Sequence, residues 1–474
     1  LKVETTMLKI RFLSPVAVAA LLTLSACGTM TPTYERPAAP VAAQFPDSNG
    51  QAAALAADLP WQDFFAEPRL RALIDLALRN NRDLRVAVLN IETARAQIDL
   101  RRADLFPTVG VGVGANAQPV NGKQVTTYTA GVQLSSYEVD LFGRVRSLRD
   151  AALATYLGTE EARRAAQISL IGSVAATELA LRADAELLDL AERTLATRLE
   201  SQRLMQLRFD NGASSELDLR QTQSLVEQAR VSREQQRRLL AQDRNLLTLL
   251  VGQPLPADLP PAPAWGQQVL RDLPAGLPSE VLLRRPDVRQ AEDTLISANA
   301  NIGAARAAFY PRISLTGSFG FASTQLGSLF ENTAWTFVPQ LLQPIFDGGR
   351  NRANLRSAEV SRDIAVAQYE KAIQSAFREV ADALAGQATL AEQLRAQQAQ
   401  TEAEGVRYRL SELRFNNGVA SSLELLDAQR ALFATQQSTV QAQLALLQNR
   451  VTTYKVLGGG WTEDKVAQVV PPAP

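Results

Sequence analysis

The sequence predicts a chain of mixed α and β class, made by tandem duplication, in which each copy carries a pair of strands and one very long helix. Three observations predict it. Landmarks recur at nearly one spacing: Phe106-Pro107 and Tyr310-Pro311 stand 204 residues apart, "LRFDNGASSELDL" and "LRFNNGVASSLELL" 206, and Gly252 and Gly458 again 206. Residues 109–118, "VGVGVGANAQ", alternate with period two, which puts valines and alanines on one face of a strand and glycines and amides on the other. Helix-forming runs of about 65 residues, without proline, follow "DLFGR" and "IFDGGR" and end at Phe209 and Phe415. At 1.5 Å per residue each would be about 100 Å long, several times an ordinary globular helix.

The elements follow in the same order in both copies. A helix is expected over 69–106, rich in Ala, Leu, Arg and Glu, and its counterpart over 279–310. Pro286 falls opposite Arg82, so both runs should break and restart there, with the proline in a first helical turn. Pro107 and Pro311 end them. Strand pairs are expected within 107–139 (109–118 with 126–139, turning at 121–123) and within 311–346 (314–323 with 335–346). Pro339 and Pro344 suit an edge strand or an irregular exit. The stretches 140–253 and 347–458 each hold a long helix, a turn at Asn211-Gly212 or Asn417-Gly418, and a returning helix of about 35 residues. Ser215 with Asp218, and Ser421 with Glu424, have the spacing of a helix cap and its reciprocal acid. Residues 254–278 form a Pro-rich linker and 459–474 a tail. Along the first long helix Leu181, Leu188 and Leu195 keep a seven-residue spacing, with Ala185, Glu192 and Leu199 between them. That is a thin seam on a largely polar helix, suited to a ring wet on both sides or to a coiled coil.

Composition excludes several functions. Forty-nine basic and 49 acidic residues cancel, which implies no bulk pull toward nucleic acid. Histidine is absent and Cys27 is the single cysteine, so a zinc site of the usual kind and the Ser-His-Asp and Cys-His arrangements lack their residues. We therefore expect no enzyme, no metal and no diffusible cofactor. Four strands cannot close a barrel, and open edges are intolerable in lipid, so membrane-spanning strands would demand oligomerisation. A ring of three such chains has 12 strands, within the range of outer-membrane barrels.

Residues 1–26 read as a secretory signal, with Met7 the expected initiator, Lys9 and Arg11 its positive region and Pro15 to Leu24 its apolar one. Leu24-Ser25-Ala26-Cys27 resembles a bacterial lipobox, which implies cleavage before Cys27 and covalent diacylglycerol and N-acyl lipid on it. Gly28 in place of Asp resembles outer-membrane sorting. The stretches "ERPAAPVAAQFP" (35–46), "YEVDLFGRVRSLRDAA" (137–152), "RRPDVRQAE" (284–292), "NIGAARAAFYPRISLTGSFG" (301–320), "PIFDGGRNRANL" (344–355), "FREVADALA" (377–385), "DAQRALF" (427–433) and the final "LGGGW" carry a further resemblance. Together they resemble the TolC-like outer membrane factors, in particular the acylated OprM-like branch, over the chain from Cys27 to about Trp461.

That resemblance implies a homotrimer: a 12-stranded transmembrane β-barrel continued by a long periplasmic α-helical barrel, with a mixed equatorial region that takes in residues 27–68. It implies a passive exit duct in a three-part pump, with a periplasmic adaptor and an inner-membrane proton-driven transporter of the RND type as partners. Arg208, Asn211, Gly212 and Ser215, and Arg414, Asn417, Gly418, Val419, Ala420 and Ser421, correspond to the tips where an adaptor docks. Related pores are throttled near the tip by carboxylates and ionic pairs. Ala420 stands where some relatives carry an acid, which leaves Asp210, Glu402, Glu404, Arg407 and Glu412 as nearby gate candidates. Trp61, Phe64 and Phe65 are expected to pack the equatorial region. The cargo the branch suggests is drugs, dyes, detergents or solvents. A channel for polypeptides or metal ions, and a coiled-coil envelope lipoprotein, remain the alternative readings at this point.

Overall fold

The computed structural model describes residues 28–45, 59–267, 270–271 and 279–460. The signal, Cys27, part of the Pro-rich linker and the tail from 461 lie outside the described residues. After one helical turn at Trp61–Phe64 come α1 (Pro68–Asn80), α2 (Arg82–Ala103), β1 (Thr108–Val120), β2 (Lys123–Val139), α3 (Arg144–Asp210) and α4 (Glu216–Val251). The second copy has a 3-10 turn at Ser279–Arg284, then α5 (Pro286–Ala307), β3 (Arg312–Ser323), β4 (Thr333–Leu342), α6 (Arg350–Asn416) and α7 (Ser422–Val456). Each long helix, α3 and α6, has 67 residues.

Several boundaries differ from the sequence reading by a few residues, and two of the differences have a clear physical cause. The run expected to be helical from 279 begins as a 3-10 turn, and the α-helix starts at Pro286, whose fixed φ and missing N–H suit a first turn. In the first copy Asn81 makes the same break without a proline: its Oδ1 accepts the Leu84 N–H at 2.8 Å while its own backbone is extended. β4 stops at Leu342 rather than running to 346, and Pro344 follows it with no N–H to offer a ladder.

The described residues divide into two compact units. The first comprises the segment 28–38 with residues 90–160 and 290–370. Its core element is one antiparallel sheet ordered β1-β2-β3-β4. Val120 pairs with Lys123 across Asn121 and Gly122, both at positive φ (50° and 79°), the two-residue turn whose twist matches the strands. The register sorts the side chains into two faces. One carries the rows Val109–Leu134–Gly317–Phe337, Val111–Val132–Phe319–Trp335 and Val113–Ala130–Phe321–Thr333. The other carries Gly110–Gln133–Ser318–Thr336 and Gly112–Gly131–Gly320–Ala334. At the centre of that last row β2 and β3 come so close that a Cβ on Gly131 would strike the Phe319 carbonyl oxygen. A Cβ on Gly320 would strike that of Ala130.

The segment 28–38 is strapped to this unit. Asn299 Nδ2 donates to the Pro32 carbonyl at 2.8 Å, Tyr34 OH donates to Glu292 at 3.0 Å, and Arg36 grips the Glu292 carboxylate with Nε at 2.7 Å and Nη2 at 3.0 Å. Gly28 and Thr29 lie against Gly143, between β2 and α3, where a side chain would collide with Thr29.

The second unit comprises residues 39–89, 161–289 and 371–460 among those described. Glu67 caps α1 by accepting the N–H groups of Arg69 and Leu70, and the spacing Leu70, Leu73, Ile74, Ala77 buries one face of that helix. Phe64 stacks on Tyr454 with centroids 4.2 Å apart, Phe65 meets the same ring edge-on, and Tyr454 OH donates to the Leu59 carbonyl at 2.7 Å. With Trp61 also buried, the three aromatics sit in the core of this unit. The buried stripe of α3 is Leu179, Ala183, Leu187, Leu190, Ala191 and Leu195. Ala183 and Leu187 meet Val440 of α7, Ala191 and Leu190 meet Phe433, and Leu195 meets Val226 and Ala229 of α4. The seven-residue leucine seam thus follows the contact line only at Leu195: Leu181 and Leu188 are only half-buried. Alanines carry much of the contact, because a small side chain lets helices approach closely.

Candidate functional site: the amphipathic sheet and the hairpin tips

The sheet presents an unpartnered apolar surface. Val111 is 86% exposed, Trp335 72%, and Val109, Val113, Phe319, Phe337 and Leu341 are exposed beside them. Patches of this kind on a soluble surface mark contact with lipid or protein. β1 and β4 are both edges, each with an unpaired row of backbone groups. Among the described residues no helix is long and apolar enough to cross a membrane. The strands, at 10 to 17 residues, are long enough to do so. At their base Glu138 takes Arg144 in a two-pronged pair at 2.8 and 2.7 Å and Arg312 at 3.5 Å, so ion pairs border the apolar band.

The two hairpin tips are built alike. Asn211 Nδ2 donates to Leu207 O and Asn417 Nδ2 to Leu413 O, each at 2.7 Å, closing the long helices. Gly212 and Gly418 then take φ of 66° and 71°, where a side chain would be strained, and the chain reverses. Ala213 N–H returns to Arg208 O at 2.7 Å and Val419 N–H to Arg414 O at 2.9 Å. In the first tip Ser215 and Asp218 complete the reciprocal cap. In the second only half of it forms: Ser421 accepts the Glu424 N–H, while the Glu424 carboxylate turns to Arg414 at 3.4 Å. Val419 stands 69% exposed.

The tips also touch each other. Arg208 lays its guanidinium over the Phe415 ring, 4.7 Å from the centroid, and Ser422 Oγ donates to Asp218. The Ser215 and Ser422 hydroxyls hold the Asp218 carboxyl below its ordinary value. Sequence reasoning saw Asp218 as a cap and missed it as a bridge. The exposed leucines Leu217 and Leu423, each the second residue of its returning helix and 206 residues apart, were also missed.

Of the five gate candidates, the structure brings two together. Glu404 pairs with Arg407 at 3.0 Å, and Arg407 reaches across to Asp427 of α7, which also holds Arg430 at 3.1 Å. Arg407 keeps the Asp427 carboxyl depressed. Asp427 and Arg430 lay in the quoted stretch "DAQRALF", where their three-residue spacing was the available signal. The others stand apart: Asp210 accepts Gln206 at 2.8 Å, Glu412 accepts Tyr408 OH at 3.0 Å, and Glu402 is exposed.

The profile of the family described as "outer membrane efflux protein" matches residues 73–253 and 277–459, once for each copy of the duplication. The chain belongs to that family. Its relatives include the solvent efflux pump outer membrane protein SrpC of Pseudomonas putida, 46% identical over 94% of this chain and 97% of SrpC. The antibiotic efflux pump outer membrane protein ArpC of the same species is 46% identical over 92% of this chain and 93% of ArpC. The open-state outer membrane channel MtrE of Neisseria gonorrhoeae superposes with a TM-score of 0.85 at 41% identity, covering 92% of this chain and 99% of MtrE. As an outer membrane efflux protein, the chain is the outer-membrane channel component of an efflux system.

Proposed function

We propose that three copies of the chain close their sheets into a 12-stranded barrel, and that the resulting duct is the passive outer exit of a tripartite pump for organic solvents and antibiotics. One observation carries this reading: a four-stranded sheet with a continuous apolar face, a face of glycine and small polar residues, and two unpaired edges. Such a sheet satisfies its backbone in lipid only when β4 of one copy pairs with β1 of the next. The apolar rows then face lipid and the glycine and hydroxyl rows face water. The names of SrpC and ArpC support the cargo class.

In this reading the periplasmic adaptor docks at Arg208, Asn211, Gly212 and Ser215, and at Arg414, Asn417, Gly418, Val419, Ala420 and Ser421. The exposed Val419, Leu217 and Leu423 supply apolar contact there. An RND-type inner-membrane transporter supplies the energy. Arg407 with Glu404 and Asp427 forms the ionic part of the gate, and lipid on Cys27 anchors the strap that begins at Gly28.

The test is image reconstruction of the purified, detergent-solubilised protein, followed by conductance in planar bilayers. A hollow trimer that conducts is the expected result. A solid rod, or monomers without conductance, would overturn the barrel and favour an envelope scaffold.

A further inference from the structure

The two hairpins of the sheet differ in length and in how they turn. β1 and β2 have 13 and 17 residues and turn in two, at Asn121 and Gly122. β3 and β4 have only 12 and 10, and the loop 324–332 joins them at the end of the sheet away from α5 and α6. On the apolar face the positions of β3 run from Ile313 to Phe321, about 27 Å along the strand. At a tilt of about 40° that gives about 20 Å of height, short of the apolar band of about 25 Å on outer-membrane barrels. The same face continues on the other hairpin through Tyr128 and Thr126, beside Ala115 and Ala117.

The loop carries apolar side chains where the short hairpin ends. Phe330 is 70% exposed and Leu326 65%. Phe330 meets Phe321 edge-on, with centroids 5.4 Å apart, so the loop leans toward the apolar face and away from the face that carries Ser318 and Thr336. Its polar groups turn inward. Ser323 Oγ accepts the Gln325 N–H at 3.1 Å and lies 2.8 Å from Ser328 Oγ. The N–H groups of Ser328, Leu329 and Glu331 donate to carbonyls within the loop. Backbone satisfied in this way suits a medium without water. Between Arg312 and Asp347 the one charged residue is Glu331. We infer that the loop 324–332 is a membrane anchor, which rests Leu326 and Phe330 among the acyl chains of the outer leaflet and completes the apolar band above the short hairpin. This rests on the barrel reading proposed above.

The experiment is tryptophan fluorescence of the full-length protein in phosphatidylcholine vesicles, with and without bromine on the acyl chains, because bromine quenches a tryptophan by contact. Trp335, on the apolar face, reports the band itself through the difference between wild type and Trp335→Phe. Leu326→Trp, Phe330→Trp and Lys123→Trp, all at exposed positions, are each made in the Trp335→Phe background, with Lys123 at the short turn as the position in water. Quenching of Leu326→Trp and Phe330→Trp within about twofold of Trp335, and at least about fivefold above Lys123→Trp, is the expected result. If both are quenched no more than Lys123→Trp while Trp335 is quenched, the anchor is overturned and the barrel stands. Aqueous iodide then separates a loop in water, which it quenches, from one covered by the next copy of the chain, and either result counts against lipid. If Trp335 is also unquenched, the barrel reading falls and the anchor with it.

Discussion

Asp218 holds two structures at once, and substitutions can separate them. Its carboxylate takes the Ser215 hydroxyl at 2.6 Å and backbone N–H at 3.3 Å, which caps α4, and takes the Ser422 hydroxyl from the other hairpin. Ser422→Ala removes only the bridge. A hydrogen bond to a charged group contributes about 1.5–3 kcal/mol, but Asp218 is half-exposed, so about 1 kcal/mol is the reasonable share. Asp218→Ala removes the bridge and the cap, and the cap adds about 1 kcal/mol. The equilibrium between joined and parted tips should therefore shift about fivefold in Ser422→Ala and in Asp218→Ala alike, the lost cap in Asp218→Ala lowering the stability of α4 instead. Conductance of the purified channel in planar bilayers reads this as the open fraction. Ser215→Ala, which touches only the cap, should change it less than about twofold. If Ser215→Ala opens the channel as far as Asp218→Ala while Ser422→Ala behaves as wild type, the bridge contributes nothing. The pH dependence has a definite sign. The folded carboxyl titrates below its ordinary value, so the bridge is fully present above about pH 4 and is lost as pH falls below that.

Four further outcomes are expected. Burial, with Asp243 nearby, pushes Asp184 up to about 6, so its ionisation opposes folding. Thermal midpoints should fall as pH rises from about 4 to about 6, and Asp184→Asn should raise the midpoint at pH 7 but not at pH 4. Glu292→Ala leaves Tyr34 and the half-exposed Arg36 without their acceptor and should weaken attachment of the strap by about 2 kcal/mol, read as faster hydrogen exchange over residues 28–38. Gly320→Val drives a side chain into the β2 backbone and should cost about 1–3 kcal/mol, seen as loss of heat-resistant oligomer on gels. Phe319→Arg, on the exposed apolar face, should cost about 2–4 kcal/mol if it lies near the bilayer midplane, read by unfolding in lipid vesicles.

What could be read from the sequence was local or repeated. The Val-Gly alternation of β1, the Asn-Gly tips and the proline at the start of α5 are short-range signals, and the duplication repeated the tips. What escaped depends on distant partners. Ala183 and Ala191 look neutral in a helix rich in alanine, yet they mark the contact with α7, because only the facing Val440 and Phe433 reveal their burial. Nothing near Pro32 or Tyr34 announces that their partners are Asn299 and Glu292. The bridge from Ser422 to Asp218 joins residues 204 apart, beyond the reach of any local rule.

The glycine pair at the centre of the sheet bears on how the two halves of the chain came to differ. In a ring of chains, the junction of β4 with the next β1 is the copy of the junction of β2 with β3. The spacing of 204 that relates the aromatic-proline pairs carries Gly320 back onto Asn116, and Gly131 forward into the stretch from Trp335 to Phe337. The internal seam, with no side chains at its tightest point, has fused the two ancestral halves closely. The external seam kept bulk, and has had to remain separable so that chains can be added one at a time. Breathing of the barrel, and errors in its assembly, should therefore concentrate at three of its six inherited joints.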